Sequence, residues 1–337
     1  MKVIIDTKGG DESSLEFVKG ALLALEKYPE LNIVLVGPKD EINGHLGDRK
    51  SEKRIEVIDA LEEITNDDQP TTAIRSKKES SMVKGLELLS SCDKSDAFIT
   101  SGNTGAALFG SMTKVGRMHG LDRAALAPIL PTVNGKFVCL IDCGANVDCK
   151  PSHLAQFAIM GSCYMKSSYG IEKPRVALVS IGVEDKKGNE QTKAAFELLK
   201  TLPINFVGNM EAREALSGNY DVLVCDGFIG NVLLKSIEGS AIMMGGMLKH
   251  SLMKNIPEGV DPTFIKKSFG EVMSVLDFNA HGGATLLGIN KIVIKIHGAS
   301  NHLAVYAAIK QVKQLLDGDL INGTKNLISK VSIPAND

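Results

Sequence analysis

Short apolar runs alternate with segments of helical periodicity along almost the whole chain. Val3–Asp6, Ala97–Thr100 and Val222–Cys225 have the length of strands, and a helical pattern follows each of them. Such alternation is typical of βαβ units, in which helices connect parallel strands and cover the sheet. The pattern therefore predicts an α/β fold with a mostly parallel sheet.

A hairpin signal interrupts this alternation near the middle of the chain. Ala127–Thr132 and Phe137–Asp142 are both apolar, and Asn134-Gly135 lies between them. Asn-Gly favours the tight turn that joins two antiparallel strands. We therefore expect one antiparallel hairpin within the parallel arrangement.

Start signals and composition give a coarse plan of the remaining chain. The predicted helix Ser14–Glu26 has Ser13 and Glu16 at capping-box spacing, and a long pattern rich in Met and Gly covers Asn231–Met253. No shift in composition marks a domain boundary. Residues 1–330 are interpreted as one α/β domain, with two intertwined lobes as the alternative, and residues 331–337 as a frayed tail.

Polar, glycine-containing loops follow four of the predicted strands. Ligands of open α/β sheets bind at the carboxyl ends of the strands. We therefore expect these loops to form one large cleft that accepts a small anion. The loops are Asp6-Thr-Lys-Gly-Gly-Asp11, Ser101-Gly-Asn-Thr-Gly105, Asp142-Cys-Gly-Ala-Asn-Val-Asp-Cys-Lys150 and Asp226-Gly-Phe-Ile-Gly-Asn231.

Composition and charge argue against several classes of function. The formal net charge is −2, Trp is absent and aromatic residues make up 5% of the chain, so no nucleic acid partner is expected. No apolar run reaches the roughly 18 residues that a membrane span needs. The chain opens on a strand pattern rather than a secretory leader, so a cytoplasmic protein is expected.

The six cysteines do not have the spacing of a metal site. The sequence has no Cys-x-x-Cys pair and no accompanying His-x-x-x-His, so zinc is not expected. Several of the thiols are interpreted as small core residues. A nucleophilic Cys143 or Cys225 is the alternative, because each adjoins a polar loop.

The loop Ser101–Gly105 is the strongest candidate for binding a phosphate. It offers backbone N–H groups and two hydroxyls at the start of a predicted helix. A plain helix cap, with Asn103 or Thr104 at the first position, is the equally weighted alternative. The loop lacks the P-loop pattern, and the loop with Gly9 and Gly10 lacks G-x-G-x-x-G, so nucleotide binding has little support.

Charged side chains near these loops are candidates for contacting an anion. Lys186 and Lys187 precede Asn189, which is placed to cap the next helix. His297 follows the predicted strand Ile292–Ile296, where a structural role is the alternative to acid–base chemistry. A separate basic group is interpreted either as a solvated face or as a contact for an anionic carrier or phosphate. Its members are Arg75, Lys77, Lys78 and Arg123.

Seven stretches of this chain match a known family in the family's order. They are Arg75-Ser-Lys-Lys-Glu-Ser-Ser-Met82, Ser101–Gly105, Asp142–Pro151, Lys187–Glu190, Asn205–Asn209, Cys225–Lys235 and Gly282–Gly288. They resemble the acyl-[acyl-carrier-protein]:phosphate acyltransferases of bacterial phospholipid synthesis. Two departures concern local loop geometry. Thr7 and Lys8 replace the family's Ala-Met, and Ala124 replaces a Pro that commonly follows the Arg.

The resemblance implies a reaction, a fold and partners. It implies transfer of a long acyl group from the thioester of acyl carrier protein to inorganic phosphate, with acyl phosphate as the product. It implies a homodimer with a Rossmann-like, three-layer αβα architecture of the isocitrate/isopropylmalate dehydrogenase type, which phosphotransacetylases share. No cofactor is expected. Acyl carrier protein and inorganic phosphate are the expected partners.

Direct attack of phosphate on the thioester is the preferred mechanism, and an acyl-cysteine intermediate is the alternative. Lys187 is predicted to neutralise phosphate, and Asn146 and Asn231 to donate to the oxyanion. Asp142 and Asp226 are predicted to orient these groups, with His297 as a weaker acid–base candidate. The predicted phosphate and substrate contacts are Gly9, Gly10, Asp11, Ser101, Gly102, Asn103, Thr104, Gly105, Asp142 and Asn189.

The segment 241–256 combines apolar and basic side chains. Several Met and Leu residues lie there beside Lys249, His250 and Lys254. A core or dimer helix is one interpretation, and a peripheral contact with the inner face of the cell membrane is the other.

The rival functions are a phosphotransacetylase acting on acyl-CoA, a nucleotide-dependent dehydrogenase and a non-catalytic scaffold for lipid synthesis.

Overall fold

The computed structural model describes residues 1–91, 97–255, 261–276, 282–331 and 333. Within these residues the chain forms two sheets. The strands are β1 Lys2–Asp6, β2 Asn32–Gly37, β3 Ile55–Asp59, β4 Ala97–Thr100, β5 Ala125–Ala127, β6 Ile129–Pro131, β7 Phe137–Ile141, β8 Val176–Ser180, β9 Phe206–Glu211, β10 Val222–Val224, β11 Ala284–Leu287 and β12 Ile292–Lys295.

Both sheets are mostly parallel, as the alternating pattern predicts. The larger sheet has the order β3-β2-β1-β4-β12-β11-β5, and β11 runs antiparallel to both of its neighbours. The smaller sheet has the order β6-β7-β10-β8-β9, and β6 is its antiparallel strand. In each sheet, the parallel strands therefore end at one common edge.

Helices connect and cover these strands, which gives the predicted three-layer α/β arrangement. None of the helices in the described part of the chain combines the length and apolar character needed to cross a bilayer. The helices are α1 Ser14–Lys27, α2 Lys39–Leu46, α3 Pro70–Ser76, α4 Ser81–Ser91, α5 Thr104–Gly110, α6 Pro151–Tyr169, α7 Glu190–Lys200, α8 Gly227–Lys254, α9 Pro262–Leu276, α10 His302–Asp317 and α11 Leu320–Ile328.

The core follows from the two-residue period of the strands. Val3 and Ile5 of β1 pack into one buried cluster with Phe17 of α1, whereas Ile4 packs into a second cluster with Phe98. A strand covered on both faces needs apolar residues at successive positions. The continuous apolar runs are therefore explained by helices on both faces of the sheet.

The predicted hairpin is confirmed, but one of its strands is divided. β6 pairs antiparallel with β7, and Gly135 has a φ of +74°, which suits the turn. The predicted strand Ala127–Thr132 is wrong at its start, because Ala127 ends β5 in the larger sheet. Pro128 has no N–H to continue a ladder, and the chain changes sheets there.

Two further predictions concern the chain ends. The capping box is wrong. Ser13 precedes α1 without a side-chain cap bond, and the Glu16 carboxylate instead accepts the backbone N–H of His302 at 2.9 Å. The Glu16 carboxylate thus bonds to a residue distant in the sequence instead of capping the start of its own helix. The predicted frayed tail lies outside the described residues, except for Val331 and Ile333.

Candidate active site

Three polar side chains end adjacent parallel strands of the larger sheet. Asp6 ends β1, Thr100 ends β4, and Lys295 ends β12 opposite Thr100. The Thr100 hydroxyl donates to Asp6 Oδ2 at 2.7 Å and accepts the Gly102 N–H at 3.0 Å. Burial raises the pKa of Asp6, and hydrogen bonds from Ser81 and Thr100 oppose this shift. The sheet edge is therefore a connected polar row.

Lys295 is a residue of this row that the sequence pattern did not point to. Its ammonium group donates to the Ser101 carbonyl at 3.0 Å and also to the Ile296 carbonyl. Burial lowers the pKa of Lys295 to about 8, and the charges of Asp6 and Asp11 partly offset this effect. A lone lysine inside the apolar run Ile292–Ile296 was the signal that could have identified it.

Three loops converge on this row: the predicted loops with Gly9 and with Ser101, and the loop with Gly298, which was not among the loops predicted to form the cleft. A Cβ atom on Gly9 would lie 2.8 Å from Gly102 Cα, and one on Gly10 would lie 2.3 Å from the Ser101 hydroxyl. The Asp11 N–H donates to the Gly298 carbonyl at 3.0 Å. The backbones approach so closely that side chains at Gly9 and Gly10 would force them apart.

Two buried hydroxyls in these loops lack a hydrogen-bond partner among the described residues. They belong to Ser101 and Ser300, whose exposed fractions are 4% and 1%. A buried polar group without a partner is unfavourable, so such groups in a cleft are candidates for binding a ligand. The Ser101 hydroxyl lies next to Gly10 on the same side of the cleft.

Asp142 organises the strand end of the smaller sheet. Its Oδ1 accepts N–H groups of Leu126 and Cys143 at 2.9 and 2.7 Å, and its Oδ2 accepts the Asn146 N–H at 2.6 Å. Burial raises the pKa of Asp142, and hydrogen bonds from Leu126, Asn146 and Ala145 oppose the shift. Because Leu126 belongs to β5, the carboxylate also connects the two sheets.

The side chain of Asn146 does not have the predicted free donors. Both of its amide N–H positions are used, one by the Ala124 carbonyl at 2.7 Å and one by Asp142 Oδ2 at 2.9 Å. The predicted role as an oxyanion donor therefore does not agree with this geometry. Asn146 instead fixes the loop on which it lies.

Three other predicted site residues cap helices. Asn103 accepts the Ala106 N–H at 2.9 Å, Asn189 accepts the Thr192 N–H at 2.8 Å and Asp226 accepts the Ile229 N–H at 2.8 Å. The cap alternative for the Ser101–Gly105 loop is thus realised through Asn103. These side chains position the loops, and Asn189 and Asp226 in addition line a pocket.

A narrow pocket joins the two sides of the cleft. Thr104 and Lys295 from the larger sheet and Ala145 from the Asp142 loop line it, together with the apolar residues Ala107, Leu108, Leu126, Leu286 and Val293. A second pocket, on the smaller sheet, is lined in part by Asn189, Asp226 and Phe228. The Ser101, Asp142 and Asp226 loops thus contribute residues to two pockets at the strand ends, which have no lining residue in common.

The remaining catalytic candidates are exposed. Lys187 lies on the loop between β8 and α7, and Asn231 lies in the first turns of α8 near Gly144. The ring of His297 is exposed, and its Nδ1 accepts the Ala299 N–H at 3.2 Å. Exposed groups of this kind are available to a ligand, but the protein holds them less firmly.

The predicted basic group is dispersed. Lys77 forms a salt bridge with Asp68 at 2.6 Å, whereas the Arg75 guanidinium lies 5.6 Å from the centre of the Phe109 ring. Lys78 is exposed. Arg123 precedes β5, and its charge acts on His153 and Cys149 instead. The four residues therefore do not form one continuous patch.

The cysteines of the strand-end loops are poor nucleophiles in this fold. Burial raises the pKa of Cys143 to about 12 and that of Cys225 well above its ordinary value. Their thiols point to the carbonyls of Gly230 and Asp142. Because the thiolate is the reactive form, neither environment favours an acyl-cysteine intermediate.

Sequence comparison gives the family. A profile described as "Fatty acid synthesis protein" matches residues 1–322. A protein named "Phosphate acyltransferase" from Thermoanaerobacter pseudethanolicus is 45% identical over 98% of each chain. One of the same name from Bacillus cereus strain B4264 is 42% identical over 99% of this chain and 100% of the relative. The chain belongs to the phosphate acyltransferase family.

Solved structures show that this phosphate acyltransferase family member shares the fold of phosphotransacetylases, as expected. The phosphotransacetylase of Streptococcus pyogenes has a TM-score of 0.60 at 14% identity and covers 96% of this chain and 94% of its own. A branched-chain phosphotransacylase from Enterococcus faecalis V583 has a TM-score of 0.58 at 14% identity, with 94% and 99% covered. At this identity the likeness concerns the fold alone.

Proposed function

We propose that this protein transfers a fatty acyl group from the thioester of acyl carrier protein to inorganic phosphate. The product would be an acyl phosphate for phospholipid synthesis. The observation that carries the proposal is full-length similarity, at 42% and 45% identity, to proteins named phosphate acyltransferase. The polar cleft at the strand ends supports it independently.

The reaction needs a positioned phosphate more than it needs a general base. Phosphate, with a second pKa of about 6–7 by analogy with phosphoryl groups, is present in substantial part as the nucleophilic dianion at neutral pH. One of its oxygens has to be held about 3–3.5 Å from the thioester carbon. The Ser101–Gly105 loop, backed closely by Gly9 and Gly10, is the proposed phosphate side of the cleft.

The bond changes follow from this arrangement. One phosphate oxygen forms a bond with the thioester carbon, the carbon–sulfur bond breaks, and the proton of phosphate passes to the departing thiolate. A thiol with a pKa of about 8.5 leaves without strong acid assistance. Asn231 is the proposed oxyanion donor, a role worth on the order of 3–4 kcal/mol in a preorganised site. Lys187 is proposed to approach the anion from the smaller sheet.

Exposed cations support the proposed carrier contact. Arg75 and Lys78 lie exposed at and just after the end of α3, and Arg123 is exposed before β5. They are the members of the basic group that an anionic carrier could reach. Lys77 is engaged by Asp68, so it is not part of this proposed contact.

The exposed apolar side chains of α8 support a proposed homodimer. Ile242, Met243, Met244 and Met247 are each more than half exposed, with values of 71%, 59%, 66% and 66%. A surface of this kind is unusual on a monomer. We propose that a second copy covers it, with an anionic membrane surface as the other candidate. Sedimentation measures the first, and flotation with anionic vesicles measures the second.

A thiol-release assay tests the proposed reaction. Acyl carrier protein and CoA carrying the same acyl chain are compared, each with and without orthophosphate. Phosphate-dependent release of carrier-protein thiol is expected, with slower release from acyl-CoA. Faster turnover of acyl-CoA would favour a phosphotransacetylase, and release that does not depend on orthophosphate would contradict the proposed function.

A further inference from the structure

Lys295 lies where the three loops of the larger sheet meet, and the roles proposed above do not include it. We propose that Lys295 is the cation that binds the attacking phosphate, and that the Ser101 hydroxyl completes this subsite. The proposal rests on the proposed acyl transfer to phosphate and names the residues that hold its nucleophile. It moves the phosphate cation from the exposed Lys187 to a half-buried position on the opposite sheet.

The first argument is the hydrogen bonding of the ammonium group. It donates to the Ser101 carbonyl at 3.0 Å and to the Ile296 carbonyl. An ammonium has three N–H donors, and within the described part of the chain no third acceptor is recorded. The two carbonyls fix the nitrogen in place, and the third donor remains for a ligand.

The second argument is a pair of buried hydroxyls without a hydrogen-bond partner in the described part of the chain, on the loops that follow β4 and β12. Ser101, whose carbonyl accepts from Lys295, has a buried hydroxyl without a partner among the described residues, and so does Ser300. Their exposed fractions of 4% and 1% exclude a purely solvated surface. A phosphate oxygen would satisfy the Ser101 hydroxyl and the free ammonium donor together.

The third argument is the charge around the amine. Asp6 at the end of β1 and Asp11 on the following loop contribute negative charge, and Lys235 of α8 contributes positive charge. Asp6 is engaged by Thr100 on its other side. The two carboxylates favour the charged form of the amine, which is the form that binds an anion.

The fourth argument is the position relative to the other half of the cleft. Lys295 and Thr104 line the same narrow pocket as Ala145, which belongs to the Asp142 loop of the smaller sheet. Lys295 therefore lies close to the side proposed for the thioester, across a pocket of about 10 Å³ that would have to widen to admit phosphate. The exposed Lys187 does not line this pocket.

Direct binding of orthophosphate, without any acyl donor, tests the proposal. Calorimetric titrations compare wild type with Lys295→Met, Lys295→Arg and the control Lys310→Met, whose lysine is exposed on α10. Loss of the charged donor is expected to weaken phosphate binding roughly tenfold to a hundredfold in Lys295→Met. Lys310→Met is expected to match wild type. Phosphate binding by Lys295→Met that equals wild type would overturn the proposal.

The pH dependence separates ligand binding from a role in holding the loop. The amine carries its charge below a pKa of about 8, so wild-type phosphate affinity should fall as the pH rises through that value. Arginine stays charged, so Lys295→Arg should bind phosphate without this fall. If the phosphate affinity of Lys295→Arg falls in the same way as the pH rises, another group causes the fall, and the proposal is contradicted. Thermal unfolding of each variant checks that the chain folds.

The two proposals fail in different ways. If wild type binds orthophosphate through Lys295 but releases no carrier-protein thiol, the proposed function is wrong and the anion subsite stands. If thiol release depends on phosphate but neither binding nor the phosphate KM changes in Lys295→Met, the subsite is wrong and the function stands.

Discussion

The two sheets contribute opposite kinds of side chain to the cleft. On the larger sheet, Asp6, Thr100 and Lys295 are linked through hydrogen bonds with the Ser101 loop. Asp6 and Thr100 are fully buried, and Lys295 is half-buried. On the smaller sheet, Lys187 and Asn231 are exposed. The larger sheet therefore holds its polar groups in fixed positions, whereas the exposed groups of the smaller sheet are less fixed before a substrate binds.

This difference predicts a division of tasks. Charges in a water-poor environment interact far more strongly than exposed ones, because solvent screens them less. Phosphate affinity should therefore depend mainly on the larger sheet. Each exposed group on the smaller sheet should have a weaker effect on phosphate affinity. Together these groups should contribute more to positioning the acyl donor. Asp142 connects the two sides, because its carboxylate accepts an N–H from β5.

Removing that connection should have the largest effect. In Asp142→Ala, the N–H groups of Leu126, Cys143 and Asn146 lose a buried acceptor. We expect a loss of about 3 kcal/mol or more in the free energy of unfolding, together with loss of activity. Urea unfolding measures the first. The control Asp148→Ala, at an exposed position of the same loop, should change stability by less than about 0.5 kcal/mol. Equal behaviour of the two variants would contradict the connecting role.

A methyl group at Gly9 should break the preorganised side while leaving most of the fold intact. Its Cβ would lie 2.6 Å from Asp6 Oδ2 and 2.8 Å from Gly102 Cα, so the two loops have to separate. We expect the phosphate KM of Gly9→Ala to rise about tenfold or more, since small displacements in a positioned site are costly. Gly44→Ala is the matched control, because nothing lies within 4 Å of its added Cβ. Unchanged phosphate kinetics in Gly9→Ala would show that loop contact is unimportant.

The exposed lysine of the smaller sheet sharpens the comparison. Lys187→Ala should raise the phosphate KM by up to about fivefold, as expected for a solvent-screened charge. This is less than the change expected for Lys295→Met. Steady-state kinetics with phosphate as the varied substrate measures both. Wild-type phosphate kinetics would remove Lys187 from the site, and a larger effect than that of Lys295→Met would reverse the proposed division of tasks.

The smallest effects are expected at the cysteines. Cys143→Ser and Cys225→Ser should keep turnover within about threefold of wild type, because direct attack does not use a thiol and both groups are buried with raised pKa values. Mass spectrometry of the wild type mixed with acyl donor should detect no acyl-enzyme. Abolished turnover in either variant, with a trapped acyl-cysteine in the wild type, would establish the two-step route instead.

Much of the fold followed from local pattern. Apolar runs with no polar alternation indicated strands covered on both faces, and the two core clusters that divide Val3 and Ile5 from Ile4 have this arrangement. Asn134-Gly135 gave the hairpin because few residues adopt its turn. The change of sheets at Pro128 was not predicted, since a run of apolar residues does not indicate which sheet each half joins.

The candidate site could be predicted less completely from the sequence. The Gly298 loop was not expected at the site, whereas the approach of the Gly9 and Ser101 loops to each other was predicted, because parallel strands end at one edge. The division of roles within those loops was not. Asn103, Asn189 and Asp226 cap helices, and Asn146 uses its amide on its own loop. A polar side chain in a loop can serve the backbone or a ligand, and the sequence shows only that it is polar.

The sequence by itself determined the order of strands and helices along the chain, the polar loops after the strands and the family to which the chain belongs. These depend on local periodicity, turn chemistry and extended motifs, all of which can be read along one dimension. Only the tertiary structure decided that Lys295 shares a sheet edge with Asp6 and that Glu16 contacts His302. Burial, pKa and hydrogen-bond partners depend on residues far apart in the chain, and only packing brings those residues together.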